Sequence, residues 1–250
     1  MDSCGKCDGS IDFKRKYEDL LAEYQDYAYI VSHDMQAPIR QLHLLGKYMA
    51  EEVGKGNQEE ASKIEVMADE VAEKAYATID ALLVFSRLNT DQKNISNVNL
   101  DELAQKVSND LGKIYASKKI INIEQVAIGD VYGDKDLLKR LFYYLLDNAF
   151  KFQPASDQHC INILIGVEER EGKRIYFIQD NGIGIGIGVS PDKFGHVFGF
   201  LRTNHDGSYP GRGCGLSFAK KIVNIHNGDI WFEPIEIGGT KICFTLGLSN

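Results

Sequence analysis

No apolar run in the sequence approaches the ~18 to 20 residues that cross a bilayer. The opening Met1-Asp2-Ser3-Cys4 also lacks a basic stretch leading into an apolar one. Neither a membrane span nor a secretory leader is expected, so any membrane input is expected to come from another chain or a missing segment. Dense basic tracts are missing as well. Lys and Arg total 28 against 36 Asp and Glu, a net charge of −8, which argues against nucleic acid or an anionic membrane as the main partner. Cysteine is scarce and odd in number, five in 250 residues, which suits a reducing, cytoplasmic compartment better than a disulfide framework. Cys4 and Cys7 form a C-x-x-C with no second pair to complete a zinc site, so residues 1–12 read as a flexible tail. What is present, 44% hydrophobic and 26% charged residues, excludes a disordered, collagenous or low-complexity chain and leaves room for one large domain or two modest ones.

Hydrophobic period organises the first third. Phe13, Tyr17, Leu20, Tyr24, Tyr27 and Val31 alternate at four and three residues, the seam of a coiled coil. Met35, Pro38, Leu42, Leu45, Met49 and Val53 continue it after an extra residue between Val31 and Met35, a stutter that locally unwinds the supercoil and turns His33 away from the core. Gly54-Lys55-Gly56-Asn57 breaks the helix. Ala61, Ile64, Ala68, Val71, Ala75, Thr78, Leu82 and Phe85 then form a second seam, so residues 13–90 are expected to be an antiparallel hairpin. A lone hairpin leaves its seams wet, and pairing two copies into a four-helix bundle buries them, which predicts a homodimer through 13–90.

Residues 91–99 are polar and read as a linker. Residues 100–250 pattern as helices over 100–118, 135–152 and 215–227, and strands near 120–126, 161–169, 174–180, 229–234 and 241–248. That order predicts an α+β domain with helices on one face of a mixed sheet.

Three elements of this domain carry chemistry. Gly211-Arg212-Gly213-Cys214-Gly215-Leu216 runs into an amphipathic helix, so amide donors and the helix dipole face whatever sits in the loop, as at an anion site or in an ordinary turn. No βαβ unit surrounds it, which excludes a dinucleotide fingerprint. Asp180-Asn181-Gly182-Ile183-Gly184-Ile185 ends a strand, where a carboxylate beside small residues can accept from an exocyclic amine such as adenine's, or simply close a turn. Asn148 and Lys151 share a helix face, an oxygen ligand for Mg²⁺ beside a cation for phosphate, or else a solvated helix end.

Taken in order, Leu145 to Phe152, Asp180 to Ile185, Gly211-x-Gly213-x-Gly215-Leu216 and Gly238-Gly239-Thr240 resemble the N, G1, G2 and terminal boxes of the histidine-kinase ATP-binding domain. Ser32-His33-Asp34-Met35-Gln36-Ala37-Pro38-Ile39-Arg40 resembles that family's H box, and Leu201-Arg202-Thr203, Tyr209-Pro210-Gly211 and Lys220-Lys221-Ile222-Val223 are similar to its phytochrome-type group. The likeness covers about residues 15 to 248. It implies an ATP-dependent protein-histidine kinase, with Asn148 holding Mg²⁺, Lys151 meeting the phosphates and Asp180 reading the adenine amine beside Gly182 and Gly184. Thr240 would support that contact, and Gly211, Gly213 and Gly215 would follow the triphosphate. His33 would be the phosphoacceptor, Asp34 its base, and a response-regulator receiver domain the downstream partner. An imidazole with a pKa near ~6.5 is largely neutral at cytoplasmic pH, and an adjacent carboxylate can fix its tautomer. His33 also lies five residues before Pro38, at the stutter, a setting that the other histidines lack.

The chain departs from the resembled pattern at three places. Tyr144 stands four residues before Asn148, where these kinases place a second Asn and the related ATP-hydrolysing clamps a Glu that activates water. About four extra residues lie around 186–189. Ala37, four residues after His33, replaces the Thr or Asn of phosphatase-competent members, which predicts little phosphatase activity. Two rival readings follow: a catalytically impaired, nucleotide-binding dimeric scaffold, and an ATPase-driven clamp. Cys214, in the phosphate loop ahead of a helix, reads as a small loop filler or as a thiol activated by the dipole.

Overall fold

The computed structural model describes residues 17, 21, 35–90, 93–116, 120–156, 159–184, 214–233, 235 and 238–247. The chain divides into two compact units, Met1–Val84 and Phe85–Asn250.

The first unit is a helical hairpin. Helix α1 spans Gln36–Gly54 and α2 spans Gln58–Thr90, continuing past the unit boundary. Pro38 lies in the first turn of α1, where a missing N–H forfeits no helical hydrogen bond. The turn is closed by Lys55 N–H to the Glu51 carbonyl at 3.0 Å and Gly56 N–H to the Val53 carbonyl at 3.0 Å, with Gly56 at φ +74°, a conformation that glycine adopts without a Cβ penalty. The expected α2 seam is the line of least exposure: Ala61, Ile64, Val71 and Leu82 are buried, and Ala68, Ala75 and Thr78 half-buried. On α1, Met35, Pro38, Leu42 and Leu45 are half-buried, but Met49 and Val53 at the turn end are exposed.

The second unit opens with a departure from expectation. Residues 95–99, assigned above to the linker, form strand β1 (Ile95–Asn99), which pairs antiparallel with β3 (Asp130–Asp134) in a two-stranded sheet. The main sheet has five strands in the order β2, β4, β5, β7, β6, namely Ile121–Gln125, Ile161–Arg170, Lys173–Asp180, Thr240–Phe244 and Ile230–Glu233. β2 runs parallel to β4 and the other pairs are antiparallel, the expected mixed sheet. Helices α3 (Leu100–Tyr115), α4 (Lys135–Lys151) and α5 (Gly215–Ile225) pack together. The core joins Leu138, Leu141, Phe142, Leu145 and Leu146 of α4 to Ile163, Ile165, Ile178 and Phe244 of the sheet, and Phe142 meets Phe244 edge to face at 6.1 Å.

Two caps set the helices that carry the site. The Asn99 side chain accepts from Glu102 N–H at 2.8 Å and starts α3. The buried Asp134 accepts from Asp136 N–H and Leu137 N–H, both at 3.0 Å, and starts α4. Its other oxygen accepts from Asn94 N–H at 2.8 Å. His226, fully buried after α5, locks this corner: Nε2 accepts from Asp134 N–H at 3.0 Å while Nδ1 lies 2.8 Å from the Ile222 carbonyl. Nδ1 therefore carries the proton and the ring is neutral. Burial lowers its pKa below the usual histidine value.

Candidate functional site

At the end of β5, Asp180 sits opposite Thr240 of β7. Its carboxylate accepts from Gly182 N–H at 2.8 Å and from the Thr240 backbone. Burial outweighs these donors and pushes the carboxyl up to about 6. The glycines around it leave no room for side chains. A Cβ on Gly182 would lie 2.2 Å from the Phe152 carbonyl oxygen, and one on Gly239, at φ +93°, would lie 2.0 Å from the Asp180 carbonyl oxygen. Gly184, at φ +75°, faces the Gly239 carbonyl. The strand end, the turn after it and the Gly238-Gly239-Thr240 approach to β7 thus close around one carboxyl group.

The end of α4 is tied to the same place, because Ile183 N–H donates to the Phe152 carbonyl at 3.0 Å. One turn earlier, the half-buried Asn148 faces the first residue of α5: a Cβ on Gly215 would lie 3.6 Å from Asn148 Nδ2 and 3.7 Å from its Oδ1. Lys151 pairs with Asp147 at 2.8 Å, and Asp147 also accepts from the Tyr115 hydroxyl at 2.8 Å. The i to i+4 spacing of Asp147 and Lys151 was legible in the sequence. Tyr115, on another helix, gave no such signal. Tyr144 stacks on Phe218 of α5 with ring centroids 5.0 Å apart.

The structure therefore gathers Asp180, Gly182, Gly184 and Thr240 at one corner, and Asn148 and Gly215 at the facing ends of two packed helices. Lys151 stands on the same face of α4 as Asn148, held by Asp147. His33, Asp34, Gly211, Gly213 and the extra residues around 186–189 lie outside the described residues. Among the described residues no cluster of three or more His, Cys, Asp or Glu could hold a metal ion, and no helix is long and apolar enough to cross a membrane.

An α+β layer with a buried strand-end carboxyl, a glycine-walled corner and a helix N-terminus facing an asparagine offers an acceptor for a base amine and N–H donors for phosphate. Residues 133–250 match the family model described as the Histidine kinase-, DNA gyrase B-, and HSP90-like ATPase. Along its length the chain is 28% identical to the phytochrome-like protein Cph1 of a Synechocystis strain, over 94% of this chain and 31% of the relative. It is 29% identical to cyanobacterial phytochrome B of a Nostoc strain, over 95% of this chain and 30% of the relative, and 26% identical to the sensor histidine kinase WalK of Bacillus subtilis, over 97% and 40%. The chain spans about a third of the length of the phytochrome relatives. Its fold is shared with the Acinetobacter baumannii histidine kinase AdeS, at TM-score 0.55 and 17% identity over 87% of this chain and 98% of that one. It is shared too with full-length ShkA, solved in complex with AMPPNP, at TM-score 0.56 and 19% identity over 77% and 39%. Residues 133–250 thus carry the ATPase domain of that family model, and over nearly its whole length, hairpin included, the chain is similar to histidine kinases.

Proposed function

We propose that this chain is the core of a two-component sensor kinase that transfers the γ-phosphoryl group of Mg-ATP to His33 and passes it to an aspartate on a response-regulator receiver domain. The observation that supports this most is the Asp180 corner, a buried carboxyl that among the described residues accepts from the backbone N–H groups of Gly182 and Thr240 and is costly to ionise. An adenine amine is a donor of the right kind to compensate that burial. AMPPNP in the complex of a protein with the same fold supports nucleotide as the ligand.

In this reading Asn148 holds Mg²⁺ through its amide oxygen, and the metal supplies charge neutralisation to the phosphates. The residues present fit that role, since the Asn148 amide lies against a helix N-terminus, where phosphate oxygens are welcome. Lys151 adds a cation once Asp147 shares it, and Gly211, Gly213 and Gly215 let backbone amides approach the triphosphate. Asp34 keeps the attacking ring nitrogen of His33 unprotonated. That nitrogen forms the new P–N bond as the bond from the γ-phosphorus to the β-bridging oxygen breaks, and ADP leaves.

Pairing of two hairpins completes the reading. Tyr76, Ile79 and Leu83 form an exposed apolar line on α2, spaced at three and four residues, and a second copy would cover it. Tyr144 supports the alternative of an impaired, nucleotide-binding scaffold, because it stands where the resembled kinases carry an asparagine. Labelled ATP separates the readings. Acid-labile, base-stable phosphate on the chain is the outcome for the kinase, and bound nucleotide without transfer is the outcome for the scaffold. Steady release of free phosphate is the outcome for a clamp.

A further inference from the structure

Helices α4 and α5 meet through an aromatic pair that lies one turn from the proposed phosphate site. Tyr144 and Phe218 stack with nearly parallel rings, 14° apart, and centroids 5.0 Å apart, an aromatic contact that ties α4 to α5. Phe218 is buried, and its N–H donates to the Cys214 carbonyl at 3.0 Å, so its position is that of the first turn of α5. Gly215, in that turn, lies with its missing Cβ 3.9 Å from Tyr144 Cβ and 3.6 Å from Asn148 Nδ2. Tyr144 and Asn148 are four residues apart and share a face of α4, so one surface both stacks the helix and presents the amide to its end. Burial raises the Tyr144 hydroxyl above the usual tyrosine range and keeps it neutral, so the ring provides the contact and no charge is involved.

We propose that Tyr144 is a positioning residue for phosphate recognition. Its stack on Phe218 sets the N-terminal amides of α5 at the distance from Asn148 that a nucleotide's phosphates require, while Asp180 recognises the base independently. This inference rests on the nucleotide reading above and divides the site into two parts that respond separately to substitution.

The test is a comparison of ATP and adenosine binding by calorimetry in the full chain, for wild type, Tyr144→Leu and Tyr144→Phe, with melting curves to verify folding. The expected result is that Tyr144→Leu weakens ATP at least tenfold, leaves adenosine within twofold, and raises the KM for ATP in autophosphorylation more than it lowers kcat. Tyr144→Phe, which keeps the stack, restores the ATP affinity. Equal weakening of ATP and adenosine by Tyr144→Leu would assign the ring a merely structural role and overturn the proposal, as would unchanged ATP affinity. If Tyr144→Leu does not fold, Tyr144→Phe with the ATP affinity lowered tenfold and adenosine unaffected also overturns it, because the hydroxyl would then carry the effect. Wild-type protein that binds neither ligand refutes the nucleotide reading itself, a different failure from wild type that binds both and a leucine variant that matches it.

Discussion

Asp180 is an expensive residue in the free protein. Its folded pKa of about 6 stands above the ordinary aspartate value of 3.8, chiefly through burial. A raised folded pKa means that the stabilising contribution is fully present below ~3.8 and lost as pH rises through about 6, so at pH 8 the ionised carboxylate costs on the order of 3 kcal/mol. Asp180→Asn should therefore melt at a temperature no lower than wild type at pH 8, while its affinity for adenosine falls at least tenfold. Wild-type affinity should itself weaken as pH drops from 8 through 6, because the protonated carboxyl is the poorer acceptor. A variant that binds adenosine normally contradicts the role given to this side chain. The residue and its glycines were legible in the sequence because a strand end, a carboxylate and small neighbours are local features. Nothing local announced that Thr240, 60 positions later, donates its backbone N–H to the same group.

At the scale of elements, the helices and the strands of the main sheet were legible and the two strands of the small sheet were not. α3, α4 and α5 carry strong helical periods and fall within a few residues of the expected bounds. The α2 seam from Ala61 to Leu82 is the buried line that its spacing predicts. β1 and β3, five residues each, were missed because Ile-Ser-Asn-Val-Asn and Asp-Val-Tyr-Gly-Asp are rich in turn residues, and their strand character comes from pairing with one another. The corner they help to build depends on His226, whose partner Asp134 is 92 residues away. His226→Gln should lower stability by about 2 kcal/mol, since it breaks a buried pair of hydrogen bonds. The histidine also has a pH signature. With its folded pKa below 6.5, its stabilisation is present above pH 6.5 and lost as pH falls through the folded value. Asp180 works in the opposite direction over an overlapping range, so removing one group or the other should change the pH dependence of urea melts in opposite senses between pH 6.5 and 5. As pH drops across that range, the stability of Asp180→Asn should fall relative to wild type and that of His226→Gln should rise relative to it. Parallel profiles for all three proteins would refute both assignments.

The described residues form a helical hairpin and an α+β domain that matches the ATPase family model. In the proposed reading a second copy of the hairpin covers the apolar line of Tyr76, Ile79 and Leu83, which is exposed on α2. Sedimentation equilibrium should report twice the chain mass for wild type, and Ile79→Glu should shift the population toward a single chain with helix content preserved. A monomeric wild type would remove the basis for the four-helix bundle. The claim on which the rest depends is chemical, and labelled ATP tests it most directly. Incubated with γ-labelled ATP and Mg²⁺, the wild-type chain should acquire phosphate that acid removes and base does not, and His33→Gln, folded to the same melting temperature, should acquire none. Label on the glutamine variant, or a wild type that binds ATP and stays unlabelled, would contradict the account.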